Sequence, residues 1–321
     1  MRAAGTVLAA LLTFAPAALR QQTSPAGQAV FRSRTDVVSV TVSVQQGRIP
    51  VSDLTAADFI LLDNGVPQRI DALSLERIPL DLTVVFAASR TTSDSTSRNR
   101  LFPSAYGGWM RGIIDSIDNV EDVRRLLTPA DRLRVVLIDL KIRAELLDSG
   151  APIRQSKSLL PLWGPGPKWE GRVRLADGIF YALAWPVPTD RRHVVVVIAE
   201  GQDTGSAIDM SMLPKLAARS DAVMNAVLRF PQGLATSDRD QIRQGTSDPA
   251  LGVAVEQTGG RILKPEDFEQ PLRQIVSDFR ASYLLRYTPQ GVTLPGWHDL
   301  TVRIQRAGDY RIRARRGYEG H

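Results

Sequence analysis

The spacing of apolar residues changes period twice along the chain. Near the start, "DVVSVTVSV" alternates Val38, Val40, Val42 and Val44 with Ser39, Thr41 and Ser43. A period of two predicts a strand with one buried face. Ser52 or Thr55 can cap a short turn holding Ala56 and Ala57, and residues 59–62 read as a second strand. "DNG" at residues 63–65 is a strong hairpin signal, with residues 66–73 as the returning strand. Residues 30–78 are therefore expected to form a small antiparallel β unit. Three strands alone make a poor core, so this unit needs partners.

From Pro79 the pattern changes. "LDLTVVFAA", "DRLRVVLIDL" and "RRHVVVVIAEG" are nearly continuous apolar runs, as in strands buried on both faces. "DAVMNAVLRF" and "RILK" read as further strands, and "KIRAELL" as an edge strand or a continuation of the one before it. Helical spacing appears over residues 109–127, where Ile113, Ile114, Ile117, Val120 and Val123 share a face. It appears again in "RLADGIFYALAW", ended by Pro186, and in "DMSMLPKLAARS", where Pro214 must lie near the start or kink the helix. "PALGVAVEQTGG", closed by Gly259 or Gly260, and "PEDFEQPLRQIVSDF" are the last helices. Strands alternating with helices predict parallel βαβ units, so residues 79–280 read as one doubly wound, Rossmann-like α/β domain.

The period of two then returns in "SYLLRYTP", "HDLTVRIQR" and "YRIRARRGY". These strands are expected to complete the β unit begun near residue 30. The architecture expected is a doubly wound α/β domain inserted in a small antiparallel β-sandwich, the latter assembled from residues 30–78 and 281–318.

Composition narrows the chemistry. The 321 residues are enough for about two domains, and 43% hydrophobic residues can build a sizeable core. Forty basic against 34 acidic residues leave a formal charge of +6, a mild excess that does not indicate nucleic-acid binding. The absence of cysteine excludes disulfides, thiolate zinc sites, thiol nucleophiles and lipobox attachment. The three histidines, His193, His298 and His321, are far apart and fit no metal-binding spacing. Structural roles are expected for His193 and His298. No G-x-S-x-G occurs, and "GPGPKW" at residues 164–169 lacks the G-K-[ST] ending of a phosphate loop. No enzyme activity is expected.

The N-terminus has the form of an export signal. Arg2 precedes the apolar run "TVLAALLTF", and "APA" at residues 15–17 offers a cleavage site. The run is shorter than the roughly 20 residues that a membrane-spanning helix needs, and nothing later is long and apolar enough. Residues 1–17 are thus expected to be a signal peptide and 18–29 a flexible segment. The mature chain would be periplasmic or extracellular.

Several segments together carry a resemblance. "FRSRTDVVSVTVSV", "GRIPVSDLTAADFILLDNGVPQRI", "DRLRVVLID", "IAEGQDTGS", "EQTGGRIL", "FRASYLLRYTPQG" and "GWHDLTVRIQRAGDYRIRARRGY" are similar to those of VWFA-related proteins, of the kind common in Acidobacteria. The α/β part resembles a von Willebrand factor A (vWA) domain, and the likeness runs from Phe31 to Tyr318. It implies a vWA-like fold, export, and a role in binding an unknown protein partner.

The resemblance also implies an ion site to test. A vWA domain of this type holds Mg²⁺ with D-x-S-x-S after its first strand, a threonine from a second loop and an aspartate from a third. In this chain the first pattern falls on "AASRT", so the aspartate position is Ala87 and the hydroxyls are Ser89 and Thr91. The threonine position is Val173, followed by matching Leu175 and Asp177. The third motif falls on "AEG", placing Ala199 and Glu200 where threonine and aspartate stand, with Gly201, Asp203 and Ser206 following the pattern. Mg²⁺ demands near-octahedral oxygen ligands at about 2.0 to 2.1 Å and gives up water reluctantly. Ala87 and Val173 offer no oxygen, and Glu200 is one methylene too long. The site is expected to be degenerate and free of metal, with no cofactor. The alternative is a metal-dependent adhesion or assembly factor with a shifted site built from Asp94, Ser89 and Glu200. Ser89, Thr91, Asp94, Glu200 and Asp203 are the candidate partner-binding residues.

The C-terminal strand supplies one more candidate. In "YRIRARRGY", Arg311, Arg313 and Arg315 share one face and Tyr310, Ile312 and Ala314 the other, with Arg303 and Arg306 nearby. The basic face is either a docking patch for acidic polymers or anionic lipid heads, or a solvated face paired with local carboxylates.

Overall fold

The computed structural model describes residues 37–75, 78–87, 125, 127–138, 142–147, 173–188, 190–199, 203–228, 248–263, 271–293 and 295–320. Val38–Gln46 (β1) buries Val40, Val42 and Val44, the residues picked out by the period of two. Ile49–Pro50 (β2) folds back on it. Thr55 caps the 3₁₀ turn Ala56–Asp58: its N–H and Oγ1 donate to Asp58 Oδ2 at 2.7 and 2.8 Å, and Asp58 N–H donates back to Thr55 O at 3.0 Å. Phe59–Asp63 (β3) pairs with Val66–Gln68 (β4) across Asn64 (φ 47°) and Gly65 (φ 80°). Two left-handed residues in a row are what a type I′ hairpin requires.

The returning strand expected over residues 66–73 is corrected here: it breaks after Gln68. Ala72–Ser74 (β5) leaves β3 and pairs instead with the late strand Tyr283–Tyr287. The cause lies in side chains that hold the chain against that late segment. Gln68 donates to Gln290 O and accepts from Gln290 N–H, both at 2.9 Å. Asp71 N–H donates to Arg286 O at 2.8 Å, and Asp71 Oδ2 accepts from Thr288 N–H at 2.9 Å.

Leu80–Ala87 (β6), Arg132–Ile138 (β7), Ile142–Leu147 (β8), Arg192–Ala199 (β9), Val223–Leu228 (β10) and Ile262–Leu263 (β11) form one sheet in the order β11-β10-β9-β6-β7-β8. Every pairing is parallel except that of β8, which runs antiparallel to β7 and so is an edge strand. Four helices are described: Leu175–Ala184 (α1), Leu213–Arg219 (α2), Pro249–Gln257 (α3) and Pro271–Arg280 (α4). Pro214 sits in the first turn of α2, where a missing N–H costs nothing. Gly259, at φ +78°, takes the left-handed position that closes α3. The helix expected over residues 109–127 falls almost wholly outside the described residues.

Both faces of this sheet are covered. Leu82, Val84, Val194 and Val196 pack against Leu272, Ile275 and Phe279 of α4. Val85, Val136, Val195 and Val197 pack against Ile179 of α1, Leu213 of α2 and Leu251 of α3. This two-sided burial explains why the strands read as unbroken apolar runs. Helix α1 lies so close that a Cβ at Gly178 would stand 1.9 Å from Ile138 Cδ1.

The remaining strands are Tyr283–Tyr287 (β12), Gly296–Ile304 (β13), Arg311–Ala314 (β14) and Gly317–Gly320 (β15). They interleave with the early ones in two antiparallel sheets, β14-β1-β12-β5 with β2 on β1, and β15-β13-β3-β4. Val40, Val42, Phe59, Leu61, Tyr283 and Leu285 fill the core shared by the two sheets. Phe59 and Tyr283 meet edge to face, ring centroids 5.3 Å apart.

Candidate functional site

In chain order the six-stranded sheet reads 3-2-1-4-5-6, so successive connections diverge between β6 and β9. A doubly wound sheet places its ligand crevice at such a switch point, outside the carboxyl ends of the strands. Here those ends are Ala87 and Ala199, paired in register and both buried. Their methyl groups belong to the packed core between sheet and helices.

The rim of the crevice is a hydrogen-bonded zipper between the lead into α1 and the loop after β9. Val173 is buried, its N–H donating to Thr204 Oγ1 at 2.8 Å, while Thr204 N–H donates back to Val173 O at 3.0 Å. Asp203 holds the next rung. Its Oδ1 accepts from the N–H groups of Gly205 (3.1 Å) and Ser206 (3.0 Å). Its Oδ2 accepts from Ala176 N–H (2.7 Å) and from Ser206 Oγ. Burial by itself would raise the Asp203 pKa, but these donors outweigh it and hold the carboxyl below the usual carboxylate range. Asp177 repeats the pattern in reverse, accepting from Ala207 N–H at 3.0 Å and Ile208 N–H at 2.9 Å and pairing with Arg174 at 2.7 Å.

The structure thus brings Ala87, Val173 and Asp203 to one crevice. Ser89, Thr91, Asp94 and Glu200 lie outside the described residues. At the positions described, the fit to Mg²⁺ is poor: Ala87, Val173 and Ala199 are aliphatic, and the Asp203 carboxylate is engaged by four donors from its own loop and the first turn of α1. Sequence reading passed over Thr204, whose hydroxyl ties the two loops. The signal was the run "DTGS", since Asp, Thr and Ser side chains readily bond nearby backbone N–H groups.

The basic patch needs correction. Tyr310, Ile312 and Ala314 do face the core, and the arginines face the other way. Arg313 and Arg315, however, point into the protein rather than at solvent. Arg313 bonds Gln45 Oε1 at 3.3 Å and lies 3.9 Å from Asp278. Arg315 donates to Gly317 O (2.8 Å) and Ala218 O (3.1 Å) and stands 3.5 Å from Asp221. Arg306 is also paired, 2.8 Å from Asp53. Arg303 and Arg311 are exposed.

His193 and His298 are both buried. Burial, and then the charge of Arg134, push the His193 pKa down to about 4, with Asp221 opposing. The folded state therefore keeps His193 neutral where the unfolded chain would bind a proton. Its contribution to stability is full above about pH 6.5 and falls as pH drops toward 4. The loss expected is roughly 2 kcal/mol at about pH 5. His193→Leu should flatten urea-melt stability across that window; an unchanged pH profile in the variant would show that His193 is not the source.

No protein-family model and no curated protein sequence matches the chain. Solved structures do share its outline. A proximal thread matrix protein 1 from the mussel byssus, with a zinc-occupied MIDAS motif, matches at 14% identity and TM-score 0.40, over 68% of this chain and 49% of that one. The manganese-loaded TRAP protein of Plasmodium vivax matches at 12% identity and TM-score 0.41, over 80% and 97%. The ArnB paralog VWA2 of Sulfolobus acidocaldarius matches at 8% identity and TM-score 0.39, over 87% and 75%. The chain spans about half the length of the mussel structure chains it matches. Likeness at this level transfers no function; the sheet order by itself defines the chain as a doubly wound α/β protein carrying two further antiparallel sheets.

Proposed function

We propose that this chain is an exported, non-enzymatic interaction protein. In this reading its α/β part is a vWA-like domain, carried as an insertion in a β-sandwich, with a degenerate ion site that engages a protein partner without a metal. The observation that carries the reading is the pairing of Ala87 with Ala199 at the switch point: methyl groups stand where an ion site would need a carboxylate and a hydroxyl. Val173 adds a third aliphatic side chain, and Asp203 is committed to holding its own loop. Export rests on the basic, apolar and small-residue pattern of residues 1–17. Partner recognition would fall to Ser89, Thr91, Asp94 and Glu200 together with backbone N–H groups around the crevice.

Calorimetric titration of the purified protein with Mg²⁺ and Mn²⁺ tests this. No saturable heat is expected below about 1 mM ion, because too few strong ligands remain for a cation that dehydrates reluctantly. Installing Ala87→Asp, Val173→Thr and Glu200→Asp together should create binding. A sub-millimolar site in the unaltered protein, lost in Glu200→Ala, would overturn the metal-free reading.

A further inference from the structure

Sheet β15-β13-β3-β4 has one face on the core and one turned outward. Residues alternate along β13: His298 and Leu300 are buried, while Trp297, Asp299, Thr301 and Arg303 are exposed. Trp297 is the largest of the outward group, and it is held at two places. Its indole Nε1–H donates to Asp299 Oδ1 at 2.7 Å. Its ring lies across Gly317 of β15, where a Cβ would stand 2.3 Å from Cζ2 and 2.7 Å from Cε2. Covering a strand glycine accounts for one face of the indole. The residue is still 37% exposed, so the outer sheet face presents a pinned, flat aromatic surface.

Polar groups rim the ring. Glu319 stands opposite Trp297 on β15, and Asp299 is the next outward residue of β13. Among the described residues no basic side chain pairs with Asp299 or Glu319. Asn64, exposed in the adjoining turn, uses its Oδ1 to accept from Asp299 N–H at 2.8 Å, which leaves the amide NH₂ to donate. A flat apolar ring edged by carboxylate acceptors and an amide donor matches a ligand with one apolar face and hydroxyls around its rim. An anion would be repelled by the two carboxylates. A cation gains little over a single water-exposed ring and cannot use the amide donor.

We propose that the Trp297 platform binds a neutral, β-linked glycan. One pyranose unit stacks its axial C–H face on the indole, its equatorial hydroxyls donate to Asp299 and Glu319, and one hydroxyl accepts from the Asn64 amide. Because the ring lies on a sheet face, a run of sugars can pass over it. The pinned indole has given up its rotamer freedom before the glycan arrives, which lowers the ordering cost of binding.

The test is an NMR titration of the isotope-labelled full chain with cellohexaose and chitohexaose, followed on the tryptophan indole N–H signals. The Trp297 signal, assigned as the one lost in Trp297→Phe, should shift saturably at about millimolar glycan. Trp297→Ala should weaken binding about tenfold, read by saturation transfer to the glycan, and Glu319→Ala about threefold. Should Trp297→Ala fail to fold, the indole shift in the unaltered chain remains an independent reading. No shift of the Trp297 signal with either hexasaccharide, saturation transfer undiminished in Trp297→Ala, or a shift with tetramethylammonium chloride but with neither glycan would each overturn the assignment.

Discussion

Asp63→Ala should cost about 4 kcal/mol of unfolding free energy, read from urea melts followed by tryptophan fluorescence. Asp63 ends β3 with no exposed surface, and it is the acceptor for a buried cluster. His298 Nδ1 stands 2.7 Å from its Oδ1, while the hydroxyls of Tyr287 and Tyr318 donate to its Oδ2 at 2.8 and 2.9 Å. The rings of His298 and Tyr318 stack at 4.7 Å. Burial pushes the Tyr287 pKa far up, with its Tyr318 and Asp63 hydrogen bonds adding, and raises that of Tyr318 to about 12, so both phenols remain donors. Removing the one carboxylate takes from three donors their shared acceptor in a dry core, and a buried donor left unmade costs more than the bond itself contributes. Tyr318→Phe removes a single donor and should cost only about 1 kcal/mol. If Asp63→Ala loses no more than Tyr318→Phe, the cluster is not the anchor described here.

Arg134→Met should be nearly as damaging, by about 3 to 5 kcal/mol, because it strands a charge. Arg134 Nη1 lies 3.2 Å from Asp81 Oδ1 and 3.1 Å from Thr83 Oγ1, inside the parallel sheet, and its guanidinium stacks on Trp185 at 4.2 Å. The two side chains are 4% and 1% exposed, so neither charge has water to fall back on. Burial lowers the Arg134 pKa, and the charge of Asp81 opposes it. The double variant Asp81→Leu with Arg134→Met should regain most of the loss, since a dry ion pair is often no better than apolar packing of similar volume. A double-mutant cycle checks this directly. Additive losses would mean that the two residues do not depend on each other.

These two clusters mark the limit of what local pattern reveals. Asp63 opens the hairpin turn that "DNG" predicts, the pair Asp63–Val66 flanking left-handed Asn64 and Gly65. Nothing near it announces His298 or Tyr318, which come from strands more than 230 residues later. The same holds for the C-terminal arginines. Alternation placed Arg311, Arg313 and Arg315 on one face, but whether that face met water or protein depended on where α4 and the loop before β10 lay. The break after Gln68 was hidden for the same reason, because the residues that redirect the chain, Arg286, Thr288 and Gln290, belong to a distant segment.

What the sequence determined by itself is therefore of two kinds. Period and punctuation specified most described strands and helices, since a side chain's exposure alternates or rotates with backbone geometry over a few residues. Residue type specified what the crevice cannot supply, since Ala87, Val173 and Ala199 lack oxygen atoms in any fold. The tertiary structure decided everything that depends on non-local neighbours: the crossing of β5 to β12, the use of Asp203 as a loop staple, the inward turn of Arg313 and Arg315, and the pairing of buried charges. Backbone periodicity is a property of the nearest few residues, whereas the partner a buried polar group finds is set by packing between segments that the sequence keeps far apart.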